Sequence, residues 1–124
     1  MLGQRETDFR DIARSAGTVL SFQQGDTVFR EGEPADSMFV LLSGQLAISA
    51  HGHDIEVLAP GQALGILSLL DGSVRSSTAT ACGPCQVAML DKRKFRFMVE
   101  DVPHFVWYVM GELAHRLRMT NAAL

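Results

Sequence analysis

The segment Gly65-Ile66-Leu67-Ser68-Leu69-Leu70-Asp71-Gly72-Ser73-Val74-Arg75-Ser76-Ser77 carries the residues of this chain best suited to chemistry. Its apolar centre is too uniform for an alternating strand and too short for an ordinary helix, so it reads as one turn of helix set between two strand runs. The first N–H groups of a helical turn have no partner within the helix and carry a partial positive charge, which suits them to an anion. Arg75, expected on the strand that follows, reaches back with a forked guanidinium, and Ser76 adds a hydroxyl. Gly65, Ile66, Leu67, Ser68, Arg75 and Ser76 together form a candidate phosphate cradle. The same residues also admit a purely structural reading, in which Gly65 and Ser68 shape a tight turn and Arg75 pairs with Asp71 at the surface.

Other reactive side chains form weaker patterns. Cys82-Gly83-Pro84-Cys85 has the spelling of the thioredoxin active site, where a thiolate is activated at a helix N-terminus. Here it falls between two strand runs, so Gly83-Pro84 reads as the reversing pair of a hairpin, with a redox-sensing disulfide or half of a metal site as the alternatives. His51 and His53 flank a glycine at a hairpin tip, and His104 and His115 fall on the last helix. No Cys or carboxylate cluster accompanies them, so no metal is expected, and a haem would need a committed axial ligand. Lys92-Arg93-Lys94 reads as a solvated corner. No Ser-His-Asp set, paired-carboxylate cleft, Walker loop or dinucleotide fingerprint occurs, and no enzymatic activity is expected.

The elements that must position these residues follow from periodicity. Phe9, Ile12, Ala13 and Ala16 recur at helical steps, predicting a helix over Arg5–Ala16 with Gly17 as a left-handed cap. Short β-rich runs follow at Thr18–Phe22, Thr27–Arg30, Ser37–Leu42, Gln45–Ala50, Asp54–Leu58, Ser76–Ala81 and Gln86–Asp91, each bounded by Gly, Pro, Asp or Ser. Seven such strands favour a sandwich or a rolled barrel. Phe95, Met98 and Val99 mark a short helix that Asp101-Val102-Pro103 breaks. In the last helix Phe105, Val109, Leu113 and Leu117 repeat every four residues, with Val106 and Met110 on an adjoining stripe. That width exceeds one contact with the chain's own core, so a homodimer seam is expected along it.

The 124 residues suit one domain, 1–124, with an N-terminal helix (1–17), a β region (18–91) that contains the 65–77 segment, and C-terminal helices (92–124). A net charge of −3 offers no attraction to DNA or to an anionic membrane. No apolar run approaches membrane-spanning length, and the N-terminus lacks the pattern of a secretory signal, so a cytoplasmic location with no membrane contact is expected. Two cysteines do not make a disulfide framework.

The order of elements and three local spellings resemble the cyclic-nucleotide-binding domain of the Crp/Fnr regulator family over nearly the whole chain. Gly25-Asp26-Thr27-Val28-Phe29-Arg30-Glu31-Gly32-Glu33-Pro34-Ala35-Asp36-Ser37-Met38-Phe39-Val40-Leu41-Leu42-Ser43-Gly44 looks like that family's glycine-punctuated strand segment. Residues 65–77 are similar to its phosphate-binding cassette, and Leu113-Ala114-His115-Arg116-Leu117-Arg118-Met119-Thr120-Asn121 resembles the end of its long C-terminal helix. The resemblance implies a mainly β fold with flanking helices, a jelly-roll-like β-roll. It also implies cAMP or cGMP as the ligand, Thr120 and Asn121 as base contacts, and dimerisation through the last helix; Thr120 and Asn121 equally admit a reading as a fraying helix end. Cyclic-nucleotide binders of the family carry a Glu after the first cassette glycine to accept the ribose 2′-hydroxyl, and Ile66 stands there instead. Losing such a charge-assisted bond weakens binding roughly tenfold to a hundredfold. Another anion, or no ligand at all, is the alternative; in the latter case the chain is a protein-interaction module docking through its last helix. Leu124 comes before any helix-turn-helix domain, so direct DNA reading in the family's usual manner is not expected.

Overall fold

The computed structural model describes residues 9–122, the last three through their backbone alone. The chain runs α1 (Phe9–Ala16), β1 (Thr18–Phe22), β2 (Thr27–Phe29), β3 (Ser37–Ser43), β4 (Leu46–Ala50), β5 (His53–Leu58), β6 (Ala63–Leu64), α2 (Ile66–Asp71), β7 (Thr78–Ala81), β8 (Cys85–Asp91), α3 (Lys92–Asp101) and α4 (Phe105–Ala122). The Arg5–Asp8 part of the expected first helix lies outside the described residues. All seven expected strands are present within a residue or two. The two-residue β6 is additional, too short to show any alternation of its own.

Two antiparallel four-stranded sheets, ordered β1-β8-β3-β6 and β2-β7-β4-β5, face each other as a β-roll. Among consecutive strands only β4 and β5 are neighbours; every other connection carries the chain from one sheet to the other. The turn residues are therefore mostly corners between sheets rather than hairpin tips. Cys82–Cys85 is one of these corners, which corrects the expected hairpin: β7 pairs with β2 and β4, while β8 pairs with β1 and β3. Gly44, at the β3–β4 corner, has φ +83°, and a Cβ there would lie 2.5 Å from the Pro84 carbonyl oxygen. Only glycine fits. Gly17 likewise keeps its place by close approach, since a Cβ would lie 2.6 Å from the Met89 oxygen, and not by the left-handed conformation expected of a cap.

The period-two alternation of β3 explains its unbroken apolar run. Phe39 and Leu41 point into the roll with Leu46, Ile48, Leu58 and Val87. Met38, Val40 and Leu42 point out into a second core with Phe9, Met98, Phe105 and Val109 of the helices. A strand buried on both faces reads as continuous hydrophobicity. At the β8–α3 junction Asp91 accepts a hydrogen bond from the Lys94 N–H and caps α3, and Val102, extended ahead of Pro103, ends it.

Phe105 is fully buried and its ring meets Phe9 and Phe95 edge-on, so it is the residue that seats α4 on the roll. Phe105→Ala is expected to lower unfolding stability by about 3–5 kcal/mol in urea titration. A loss under about 1 kcal/mol would mean that α4 is seated mainly by its polar contacts.

Candidate functional site

The cassette is built from three directions. β6 leads into Gly65, whose φ of +81° turns the chain into α2, and no side chain caps that helix end. Gly72, at φ +72°, ends the helix, and the chain returns through 73–77 to β7. Arg75 therefore lies in the loop before β7 and not on the strand, which starts at Thr78. Two hydrogen bonds hold this loop from either side: the Arg75 N–H donates to the Glu33 carbonyl, and the Gly32 N–H donates to the Arg75 carbonyl. The Ser68 hydroxyl donates to the Val74 carbonyl and ties α2 to the same loop.

The Arg75 side chain is 4% exposed. Its guanidinium lies 4.3 Å from the Phe29 ring centre and 5.5 Å from that of Phe39. Nη1 donates to the Gly65 carbonyl and Nη2 to the Ser37 hydroxyl, each at 3.2 Å. The surface pairing with Asp71 does not occur; Asp71 instead accepts from the N–H and hydroxyl of Ser73, which hold its carboxyl below the ordinary value. Among the described residues no carboxylate forms an ion pair with Arg75. Burial lowers the guanidinium pKa, against the raising fields of Asp36 and Glu33. Glycine at 65 is favoured by its backbone angle, and a Cβ there would also displace Arg75 Nη1 from its present position.

A narrow cleft of about 30 Å³ opens beside this arginine. Gly65, Ile66, Leu67, Ser68, Arg75 and Ser76 all line it. Ile66, 5% exposed, also belongs to the helix-side core, so its side chain is a packing element and not a free wall of the cleft. Among the further lining residues, sequence reasoning did not bring Phe29, Glu112 and Arg116 to this site. The last two stand one helical turn apart on α4, an i, i+4 pair that could have signalled a polar face turned toward the roll.

α4 is anchored along that face. The Tyr108 hydroxyl donates to the Gly61 carbonyl at 2.7 Å, and Glu112 Oε1 accepts from the Ala63 N–H at 2.6 Å. His115 lies 2.8 Å from Glu56, and Arg116 donates to the same carboxylate, which is 8% exposed. His115 thus contacts the roll while its side chain stays 39% exposed. His104 precedes the helix, at φ +67°. Burial raises the Glu112 carboxyl above its ordinary value, against the lowering effects of the Ala63 N–H, His115 and Arg116. Thr120 and Asn121 continue α4 beyond this anchor; their side chains lie outside the described residues.

The remaining reactive groups stay apart from the cleft. Cys82 is exposed and Cys85 buried, both as free thiols, and burial raises the Cys85 thiol, opposite to the activation that a reactive thiolate needs. His51 pairs with Glu31 at 3.2 Å. Among the described residues no group of three His, Cys, Asp or Glu is placed to hold a metal, and no helix is long and apolar enough to cross a membrane.

Comparison with known proteins agrees with this geometry. The model of the cyclic nucleotide-binding domain family matches residues 19–101. The chain is 32% identical over 107 residues to a CRP-like cAMP-activated global transcriptional regulator of Mycobacterium tuberculosis, covering 82% of this chain and 48% of that protein. It therefore spans about half the length of the curated relatives it matches. The catabolite activator protein of Thermus thermophilus superposes with a TM-score of 0.80 at 24% identity, over 98% of this chain and 59% of that one. The N-terminal domain of a transcriptional regulator from Streptomyces coelicolor superposes with a TM-score of 0.68 at 26% identity, over 95% and 89%. With its β-roll, its cassette and a family match over most of its length, the chain belongs to the cyclic nucleotide-binding domain family.

Proposed function

We propose that residues 1–124 act as a single regulatory sensor domain that binds cAMP or cGMP by its phosphate. The observation that carries this reading is Arg75, a buried guanidinium met only by neutral oxygens and aromatic faces. With no carboxylate in contact and only the more distant fields of Asp36 and Glu33, a cation taken out of water gains from an anionic partner. The cassette backbone at 65–68 and the hydroxyls of Ser76 and Ser77 line the cleft beside it. The relative named as cAMP-activated supports a cyclic nucleotide over a bare anion. Thr120 and Asn121 are the proposed base contacts.

Pockets for ligands of this size measure some 300–1,000 Å³, so the 30 Å³ cleft must open, and α4 is the wall able to move. Ligand binding then shifts α4, and the shift is the output. No catalytic role is proposed. A cytoplasmic location accompanies the reading, supported by the two free thiols. The net charge of −3 supports no direct DNA contact by these residues.

Calorimetric titration with cAMP and cGMP up to millimolar concentration is expected to give saturable binding, weaker than in a domain with a cassette carboxylate. Arg75→Ala should lower the affinity at least about tenfold. It should also lower the thermal midpoint, since Phe29, Phe39 and Gly65 lose the group packed among them; an exposed arginine would have left it unchanged. A wild-type chain that binds neither nucleotide would instead support the protein-interaction module.

The proposed partner for α4 is a second copy. Trp107, Met110, Ala114 and Leu117 lie at i, i+3, i+7 and i+10 on the face away from the roll, and Trp107 and Leu117 are 70% and 61% exposed. That spacing is the seam of a two-stranded coiled coil. Leu113 packs partly against the core, so the seam is tested at Met110 and Leu117. Changing both to Glu is expected to give a folded monomer with unaltered β-type circular dichroism and half the wild-type mass by light scattering. A wild-type chain monomeric at high concentration would assign the face to another partner.

A further inference from the structure

We propose that Glu112 of α4 is the specificity-determining residue that accepts the ligand's ribose 2′-hydroxyl. This rests on the nucleotide reading above and adds to it a residue outside the cassette.

The cleft is lined by two cations, Arg75 and Arg116, and among the described residues by one carboxylate, Glu112. A bare anion drawn to Arg75 would meet that carboxylate as a repelling neighbour. A cleft of this composition suits a ligand whose anionic group is followed by a hydrogen-bond donor, and a ribose phosphate has that form. Ile66 presents only hydrocarbon and the serine hydroxyls of the cleft are neutral acceptors, so Glu112 is the one anionic acceptor among the described lining residues. Glu112 has one oxygen engaged by the Ala63 N–H, and a carboxylate has about four lone-pair sites, so capacity remains for a hydroxyl. Its partial burial makes such a bond stronger than it would be in open water.

The position of Glu112 gives the bond a consequence. Arg75 belongs to the cassette loop and Glu112 to α4, so a ligand held by both ties the helix to the cassette through its own atoms. In a domain whose ribose acceptor lies within the cassette, phosphate and sugar are held by one element. Here the sugar is read by the element whose displacement is the output, so hydroxyl recognition and helix position are one event.

The test compares cAMP with 2′-deoxy-cAMP by calorimetry on the wild-type chain and on Glu112→Gln. The hydroxyl is assigned to the carboxylate oxygen that Ala63 leaves free; in glutamine the oxygen keeps the bond from Ala63 and an amide nitrogen, a donor, stands in place of that second oxygen. Wild type is expected to prefer cAMP by about tenfold or more. Glu112→Gln should lose that preference by weakening cAMP alone, with 2′-deoxy-cAMP bound as well as before or better. If Glu112 is only a repelling neighbour, its neutralisation strengthens both ligands by a similar factor, which overturns the proposal. Equal wild-type affinities for the two ligands overturn it without any variant, should Glu112→Gln fail to fold. A wild-type chain that binds neither ligand defeats the nucleotide reading itself, and this proposal with it.

Discussion

A guanidinium removed from water must have its donors met and its charge answered, and Arg75 satisfies the first condition far better than the second. Phe29 from β2 and Phe39 from β3, whose rings also meet each other, lie against it as an aromatic pair, while the Ser37 hydroxyl and the Gly65 carbonyl each take an N–H. These contacts fix where the cassette loop lies, and through Gly65 they fix how α2 begins. A side chain at 65 would displace the guanidinium from its present position, so the helix start and the arginine define one another. Contacts from β2, β3 and the start of α2 thus hold a cation in the lining of the cleft.

The second constraint is α4, which has two working faces. One is held on the roll by Phe105, Val109 and three polar links: Tyr108 to Gly61, Glu112 to Ala63, and His115 with Arg116 to Glu56. All three polar links end on the stretch from β5 to β6 that leads directly into the cassette. The chain segment that enters the cassette is therefore joined directly to the inner edge of α4. The other face presents Val106, Trp107, Met110 and Leu117 to solvent. A helix anchored by a few exchangeable polar bonds on one side and apolar on the other is suited to passing a shift from its inner contacts to an outer partner.

Much of the fold was legible locally. Strand runs and turn residues predicted seven of the eight strands, since period-two alternation and glycine or proline punctuation act within a few residues. β6 escaped because two residues have no period. The hairpin assigned to Cys82–Cys85 failed because a corner between sheets uses the same turn residues as a reversal within one sheet. Which sheet receives the next strand is decided by partners far along the chain. The cassette was legible as a helical turn with an arginine after it, but the placement of Arg75 was not: a strand-forming run gave way to a loop held by Glu33 and Gly32.

The sequence by itself determined the elements, the glycines at the corners, the cassette and the excess apolar width of the last helix. All are properties of neighbours within a turn or a strand, where sterics and periodicity act directly. Tertiary structure alone decided that Arg75 is buried, that Ile66 faces a core, and that Glu112 and Arg116 reach the cleft. Arg75 meets Ser37 across 38 positions and Arg116 meets Glu56 across 60. Contacts at such separation depend on how two sheets and a helix pack. An arginine's burial, or a glutamate's place in a cleft, is set by that packing and leaves no periodic trace in the chain.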